Sequence, residues 1–308
     1  MSNVNDEPMN LGLGHLDRAG AAIEFAASGD VEGRAWIADL PTLIRTMCQR
    51  WGLAVENEVA HNGYHGIVLP VRRGEEPYVL KLTWPANRAV DEARALAIWD
   101  GHGAVRMFEA DLDHGAMLLE RLNARQTLRD LNLTEAVAVA GRLLRRLAVP
   151  APRGFRQLTD LVNDLAPTLD ERQESLGHPV PDTWLEAARD LSQQLEDCTD
   201  NRLLIHADLH YGNILAGERE SWLAIDPKPV AGDPEHAVPE LLWTRVDEVE
   251  GAVGVRRLFA ALIESGALDA EKARSWAIVR CVDYWLWGIE HGLTGDPKRC
   301  QRIIQALM

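Results

Sequence analysis

The chain has 308 residues, of which 46% are apolar and 26% charged, an ordinary balance for a globular protein with a large core in one domain or two lobes. Its net charge of −15 argues against nucleic acid or an anionic membrane as partner, because both select a basic footprint, and no uninterrupted apolar run is long enough to span a bilayer. The opening MSNVNDEPMN lacks the basic and apolar regions of a signal peptide, and Cys48, Cys198, Cys281 and Cys300 form no CxxC pair, so a cytoplasmic protein with buried thiols and no zinc or redox site is expected.

In chain order, residues 1–34 read as an extension with a short helix over 17–27. Ile37, Leu40, Leu43, Ile44, Met47 and Trp51 have helical spacing, predicting a helix over 36–51 with Pro41 in an early turn. Over 53–82 the pattern shortens to β-like runs punctuated by Gly63, Gly66 and Gly74-Glu75-Glu76-Pro77, as in a small antiparallel sheet. Gly63 and Gly66 are candidates for a phosphate-covering loop, since glycines let backbone N–H groups approach anionic oxygens; an ordinary hairpin turn explains them equally well. Lys81 lies between Leu80 and Leu82 in a strand, where burial is costly unless the ammonium meets phosphate or a carboxylate. An edge-strand lysine facing water is the other reading. The next helix, predicted over 87–99, offers Glu92 as its partner, with Asp91 as the alternative.

Residues 117–122 read as the last strand of this sheet, running into a connector, 123–126, between two lobes. In a bilobal kinase the adenine lies against this connector, which makes Glu120 and Leu122 positional candidates through their backbone groups. The expected divisions are an extension (1–34), an N-lobe (35–122) and a C-lobe (123–308). Helices are predicted over 133–149, capped by Thr134 and stopped by Pro150 and Pro152, and over 182–198.

The stretch with the most chemistry is 203–227, LLIHADLHYGNILAGERESWLAIDP. His206, Asp208 and Asn213 have the H-x-D-x-x-x-x-N spacing of a kinase catalytic loop, and Asp226 follows thirteen residues after Asn213. Phosphoryl transfer needs one carboxylate beside the acceptor hydroxyl and hard oxygen ligands for magnesium on the phosphates. Asp208 fits the first role, Asn213 and Asp226 the second, and His206 reads as scaffold. A hairpin around 217–221 puts Asp226, by alternation, on the face of Ala224 and Trp222. In the competing reading these polar residues are turn caps of a surface loop.

Six acidic residues fall within 233–250: Asp233, Glu235, Glu240, Asp247, Glu248 and Glu250. Most read as a solvated helix face, while Asp233 and Glu235, nearest Asp226, are candidates for contacting a cationic acceptor. A helix over 271–292 carries Trp276, Trp285 and Trp287 among Asp283, Glu290 and His291. Its aromatics are core or the wall of an acceptor pocket, with Trp285 and Glu290 as the candidates.

These residues carry a family resemblance. Through VLKL around Lys81, EARALAIWDGHGAVR from Glu92, LLERL, HADLHYGNIL, AIDPKPVAGDPEH and CVDYWLWGIEHG, the chain resembles the aminoglycoside phosphotransferase family, in its streptomycin 6-kinase and hydroxyurea kinase branch, over 36–292. The resemblance implies an α+β, bilobal, protein-kinase-like fold: a small antiparallel-sheet N-lobe with one helix and a larger, mostly helical C-lobe. It implies ATP as phosphoryl donor, Mg2+, Asp208 as base, Asn213 and Asp226 as metal ligands, Lys81 as phosphate anchor and Glu92 as its partner. Ala237 stands where relatives often have aspartate, and Ala207 where many have glycine. The activity expected is O-phosphorylation of a small cationic molecule, streptomycin or a related aminoglycoside, giving antibiotic resistance, by a cytoplasmic enzyme for which a monomer is favoured. Hydroxyurea or an endogenous sugar or cyclitol is the alternative acceptor, and a non-catalytic nucleotide-binding pseudokinase the alternative of another class.

Overall fold

Helix α1 (Val31–Trp51) carries Pro41 in its interior rather than in an early turn. Proline there forfeits a helical hydrogen bond at about 3 kcal/mol, but Leu40, Leu43, Ile44, Met47 and Cys48 continue one buried stripe across it, each worth about 1.5–3 kcal/mol. The computed structural model describes residues 31–56, 61–63, 66–84, 88–200 and 202–308. The helix expected over 17–27, and Tyr64 and His65 between the two glycines, lie outside the described residues.

The α1 stripe packs on a six-stranded antiparallel sheet of β1 (Ala54–Val55), β2 (His61–Gly63), β3 (Gly66–Arg73), β4 (Glu76–Thr83), β5 (Met107–Asp111) and β6 (Ala116–Glu120). The spatial order is β1-β3-β4-β6-β5, with β2 paired to β3. Leu80 and Leu82 of β4 join the α1 core. The two-residue period of a strand therefore turns Lys81, between them, to the opposite face, where helix α2 (Arg88–Trp99) supplies Glu92. Strand β5 went unpredicted, because its exposed positions, Phe108 and Ala110, are apolar and half-buried Glu109 is polar, the reverse of the usual alternation.

By contacts the described chain forms two compact units, one of residues up to Ala97 with Arg106–Arg121, the other of Ile98–Val105 with Leu122–Met308. In the second, larger unit, residues expected to be a connector form strand β7 (Asn123–Thr127), which pairs with β10 (Ile214–Ala216). Helix α3 (Leu133–Leu147) is capped by Asn132, whose side chain accepts from the Glu135 N–H at 3.1 Å; Thr134 lies one residue inside the first turn. Strand β8 (Val149–Pro150), helix α4 (Leu158–Ser175) and helix α5 (Asp182–Cys198) follow. Helix α4 was not predicted, since Pro167 interrupts a stripe of Leu158, Leu161, Val162, Leu165 and Leu169 that is otherwise helical.

Strands β9 (Leu203–Ile205), β11 (Trp222–Ala224) and β12 (Val230–Ala231) complete two three-stranded sheets, ordered β11-β10-β7 and β12-β9-β8. Helices α6 (Val238–Trp243), α7 (Gly251–Gly266), α8 (Ala270–Glu290) and α9 (Gly295–Leu307) close the chain. Leu158, Val162, Leu195, Ile205, Val230, Trp276 and Val279 form one core, so α4, α5 and α8 all press on the strands that carry the catalytic stretch. No described helix is long and apolar enough to cross a membrane. Cys48, Cys281 and Cys300 are buried as expected, whereas Cys198, at the end of α5, is exposed.

Candidate active site

Strand β9 lies between β8 and β12, with Leu204 opposite Val149 and Ile205 opposite Val230, so the chain leaves the sheet at His206 from a fixed point. The His206 ring is buried. Its Nε2 bonds the Ile225 carbonyl at 2.9 Å, and its Nδ1 accepts from the Asp208 N–H at 3.3 Å, a donor shared with the His206 carbonyl at 2.8 Å. Burial pushes the imidazole down to about 4, against the pull of Asp208, so it is a neutral peg between the two halves of the catalytic stretch. Trp99 stacks on it at 6.3 Å. Ala207 has φ 51°, a left-handed conformation that glycine adopts without strain.

The turn at Ala207 presents Asp208, whose side chain is 15% exposed and lies 2.6 Å from the Lys228 ammonium through Oδ2. Fully buried Leu209 and Tyr211 anchor the loop beyond it, with the Arg245 guanidinium 5.2 Å over the Tyr211 ring. Asn213 Nδ2 donates to the Asp208 carbonyl at 2.9 Å, and the Asn213 carbonyl accepts from the Ile225 N–H at 2.9 Å. With its amide nitrogen committed, Asn213 offers its amide oxygen to a cation. Strand β11 ends at Ala224, so alternation does not reach Asp226. A left-handed turn at φ 55° orients it instead, and its side chain is exposed. An amide oxygen and a carboxylate on neighbouring backbone are the hard donors magnesium takes, and that ion needs few protein ligands when phosphates supply others.

In the smaller unit, the Lys81 ammonium bonds both Glu92 oxygens, at 2.6 and 2.8 Å, with both side chains about nine-tenths buried. Asp91 bonds Arg94 at 2.9 Å instead. Gly63 and Gly66 face each other across the β2–β3 pairing. A side chain at Gly66 would meet the Leu82 carbonyl at 2.4 Å, so the sheet by itself requires that glycine. Glu120 exchanges bonds with Arg106 through its backbone N–H (2.8 Å) and its carboxylate (3.0 Å); Leu122 opens the larger unit.

The four acceptor candidates have other employment. Asp233 is buried against Lys272 at 3.2 Å, and buried Glu235 accepts from the Asp269 N–H at 2.9 Å, at the start of α8. Trp285 is buried edge-on to Trp184 at 6.0 Å, and Glu290 pairs with Arg172 at 3.5 Å. None of them lines the cavity of about 350 Å3 between α4 and α8, whose walls include Leu161, Leu165, His236, Trp276, Arg280 and Asp283. His236 Nδ1 and Trp276 Nε1, on side chains more than nine-tenths buried, have no hydrogen-bond partner. Burial holds the His236 imidazole well below its usual range, so it is neutral.

Glu240, expected on a solvated face, is turned inward. Its side chain is 13% exposed, its Oε2 lies 3.6 Å from Arg280 Nη1, and its carboxyl feels the negative charge of Asp208. Burial pushes that carboxyl up to about 7. The signal was present in VPELLW, where a single acid stands among residues that are all buried in α6. Lys228, in direct contact with the expected base, was also passed over, although it stands in the motif AIDPKP.

An α+β fold with this loop defines the protein-kinase-like class of phosphotransferases. Among solved structures, an aminoglycoside phosphotransferase in complex with ADP and hygromycin B matches with a TM-score of 0.59 at 15% identity, over 85% of this chain and 97% of that one. A choline kinase from Streptococcus pneumoniae matches with 0.57 at 14%, over 87% and 98%. At this identity they establish the fold. The profile of the aminoglycoside/hydroxyurea antibiotic resistance kinases matches residues 50–292, and the chain belongs to that family of kinases. It is 36% identical to a streptomycin 6-kinase of Streptomyces glaucescens, over 93% of this chain and 95% of the relative. It is 38% identical to a hydroxyurea phosphotransferase of Kitasatospora aureofaciens, over 96% and 89%.

Proposed function

We propose that this chain transfers the terminal phosphoryl group of ATP to a hydroxyl of a small cationic acceptor, with streptomycin the first to test and antibiotic resistance the consequence. The observation that carries the reading is Asp208, a partly exposed carboxylate on a loop pegged by His206 and Asn213. As the acceptor oxygen attacks the γ-phosphorus, its proton passes to Asp208. The bond to the bridging oxygen breaks, and its electron pair leaves with ADP. Lys81, held by Glu92, anchors phosphate oxygens, the backbone at Gly63 and Gly66 covers them, and the Glu120–Leu122 backbone reads the adenine. Magnesium, when bound by Asn213 and Asp226, supplies charge neutralisation on the phosphates.

The cavity between α4 and α8 is our assignment for the acceptor, in place of Asp233, Glu235, Trp285 and Glu290. Its volume suits a small ligand. Arg280 lines it and pairs with Glu240, whose carboxyl feels the charge of Asp208, so the cavity is electrostatically linked to the base. A net charge of −15 favours cationic acceptors over nucleic acid. We assign residues 35–122 to nucleotide binding, residues 123–308 to catalysis and acceptor binding, and the protein to the cytoplasm as a monomer.

Streptomycin-dependent ADP release tests the substrate; no turnover at saturating drug and magnesium-ATP removes streptomycin. Asp208→Ala should lower kcat by about 10²–10⁴, and a rate equal to wild type would overturn the role of the base. The hydroxyurea phosphotransferase relative favours a second reading, in which hydroxyurea is the acceptor. The ratio of kcat/KM for the two compounds decides between them.

A further inference from the structure

Beside Asp208 stands Lys228, a cation that neither the base nor the metal-ligand roles use. Its backbone is rigid. Buried Pro227 and Pro229 flank it and restrict its dihedrals, and its N–H donates to the His206 carbonyl at 3.0 Å, inside the catalytic stretch. Its side chain is 63% exposed and reaches Asp208 Oδ2 at 2.6 Å. Lys228 is thus a flexible charged arm on a fixed post, two residues past Asp226.

An ion pair with so exposed a lysine is weak and exchangeable, because water competes for both partners. A terminal phosphoryl group carries more negative charge than a carboxylate and offers several oxygens to an ammonium. The Asp208 backbone is held by the His206 ring and the Asn213 amide, so the base keeps its place when the lysine departs. Departure also frees Oδ2, which must accept the hydroxyl proton.

Resting on the phosphotransferase reading, we propose that Lys228 is a catalytic residue that exchanges its partner, from Asp208 in the free enzyme to the transferring phosphoryl group when ATP binds. The acceptor oxygen forms its bond to the γ-phosphorus while the bond to the bridging oxygen breaks. The hydroxyl proton goes to the vacated Asp208 oxygen, and the ammonium balances charge on the equatorial phosphoryl oxygens without changing its own protonation.

The test compares wild type, Lys228→Met and Lys228→Arg, first by binding of ADP and of a nonhydrolysable ATP analogue with magnesium, read by tryptophan fluorescence. Lys228→Met should weaken the analogue about tenfold and ADP by less than about twofold, since only the former presents the terminal phosphoryl to a charge-assisted contact. In turnover with streptomycin and with hydroxyurea, kcat should fall about 10²-fold with acceptor KM within about threefold, and Lys228→Arg should recover part of the loss. Unchanged nucleotide discrimination in a folded Lys228→Met protein overturns the exchange while leaving the phosphotransferase reading intact. A wild type that binds neither nucleotide overturns both.

Discussion

Two lysine–carboxylate pairs stand in this molecule at the same N–O separation of 2.6 Å, and they have different physical meanings. Lys81 and Glu92 are 10% and 7% exposed and rise from a strand and a helix, β4 and α2. Lys228 and Asp208 are 63% and 15% exposed and sit on irregular backbone. In the first pair both charges have given up most of their water, so the contact is costly to break. In the second, the lysine keeps its hydration and loses little by moving. Equal distances therefore mark a fixed anchor in one unit and an exchangeable contact in the other.

The largest effect should come from Glu92→Ala, which takes the carboxylate from a buried ammonium and should lower stability by about 3–5 kcal/mol. Urea denaturation measures it, and a midpoint equal to wild type would mean that Lys81 is hydrated in solution.

Next come the buried titratable groups, which act in opposite directions. His206 is pushed down from 6.5 to about 4, so its contribution is present above pH 6.5 and is lost as pH falls through about 4. Glu240 is pushed up from 4.5 to about 7, so stability associated with its protonated form is present below pH 4.5 and is lost as pH rises through about 7. Glu240→Gln, which cannot ionise, should therefore flatten the alkaline side of the Tm–pH curve and leave the acid side sloping. An unchanged alkaline slope would place that carboxyl in water.

Ala207→Gly relieves a left-handed alanine and should gain about 1 kcal/mol, partly offset by the greater freedom of glycine in the unfolded chain. Thermal unfolding reads it, and a loss of stability would show that this turn is not left-handed in solution. The smallest change is expected for Lys228→Met, below about 1 kcal/mol. A drop comparable to that of Glu92→Ala would erase the contrast between the two pairs.

Much of the fold was legible because its signals are local. Helix α5 and the greater part of α8 follow from apolar spacing, and the β10–β11 hairpin from turn residues between short apolar runs. The family motifs likewise survive as contiguous letters. Strand β7 was illegible for the opposite reason. NARQT has no alternation, and it is a strand because β10, some ninety residues later, pairs with it. Pro41, expected in an early turn, and Pro167 each lie within a helix whose buried stripe outweighs one missing hydrogen bond.

Residue types and spacings alone singled out the groups we assign to phosphoryl transfer: a carboxylate, an amide and a second carboxylate at set intervals, and a lysine with a glutamate eleven residues on. Tertiary structure decided which other charges meet them. Asp233, Glu235 and Glu290 look like ligands for a cation in the linear chain, but folding pairs them with Lys272, the start of α8 and Arg172. Glu240 and Lys228 stand among other charges in the linear chain, but folding turns Glu240 inward to Arg280 and brings Lys228 to Asp208. A charge's role depends on what replaces its water, and that is set by neighbours distant in sequence.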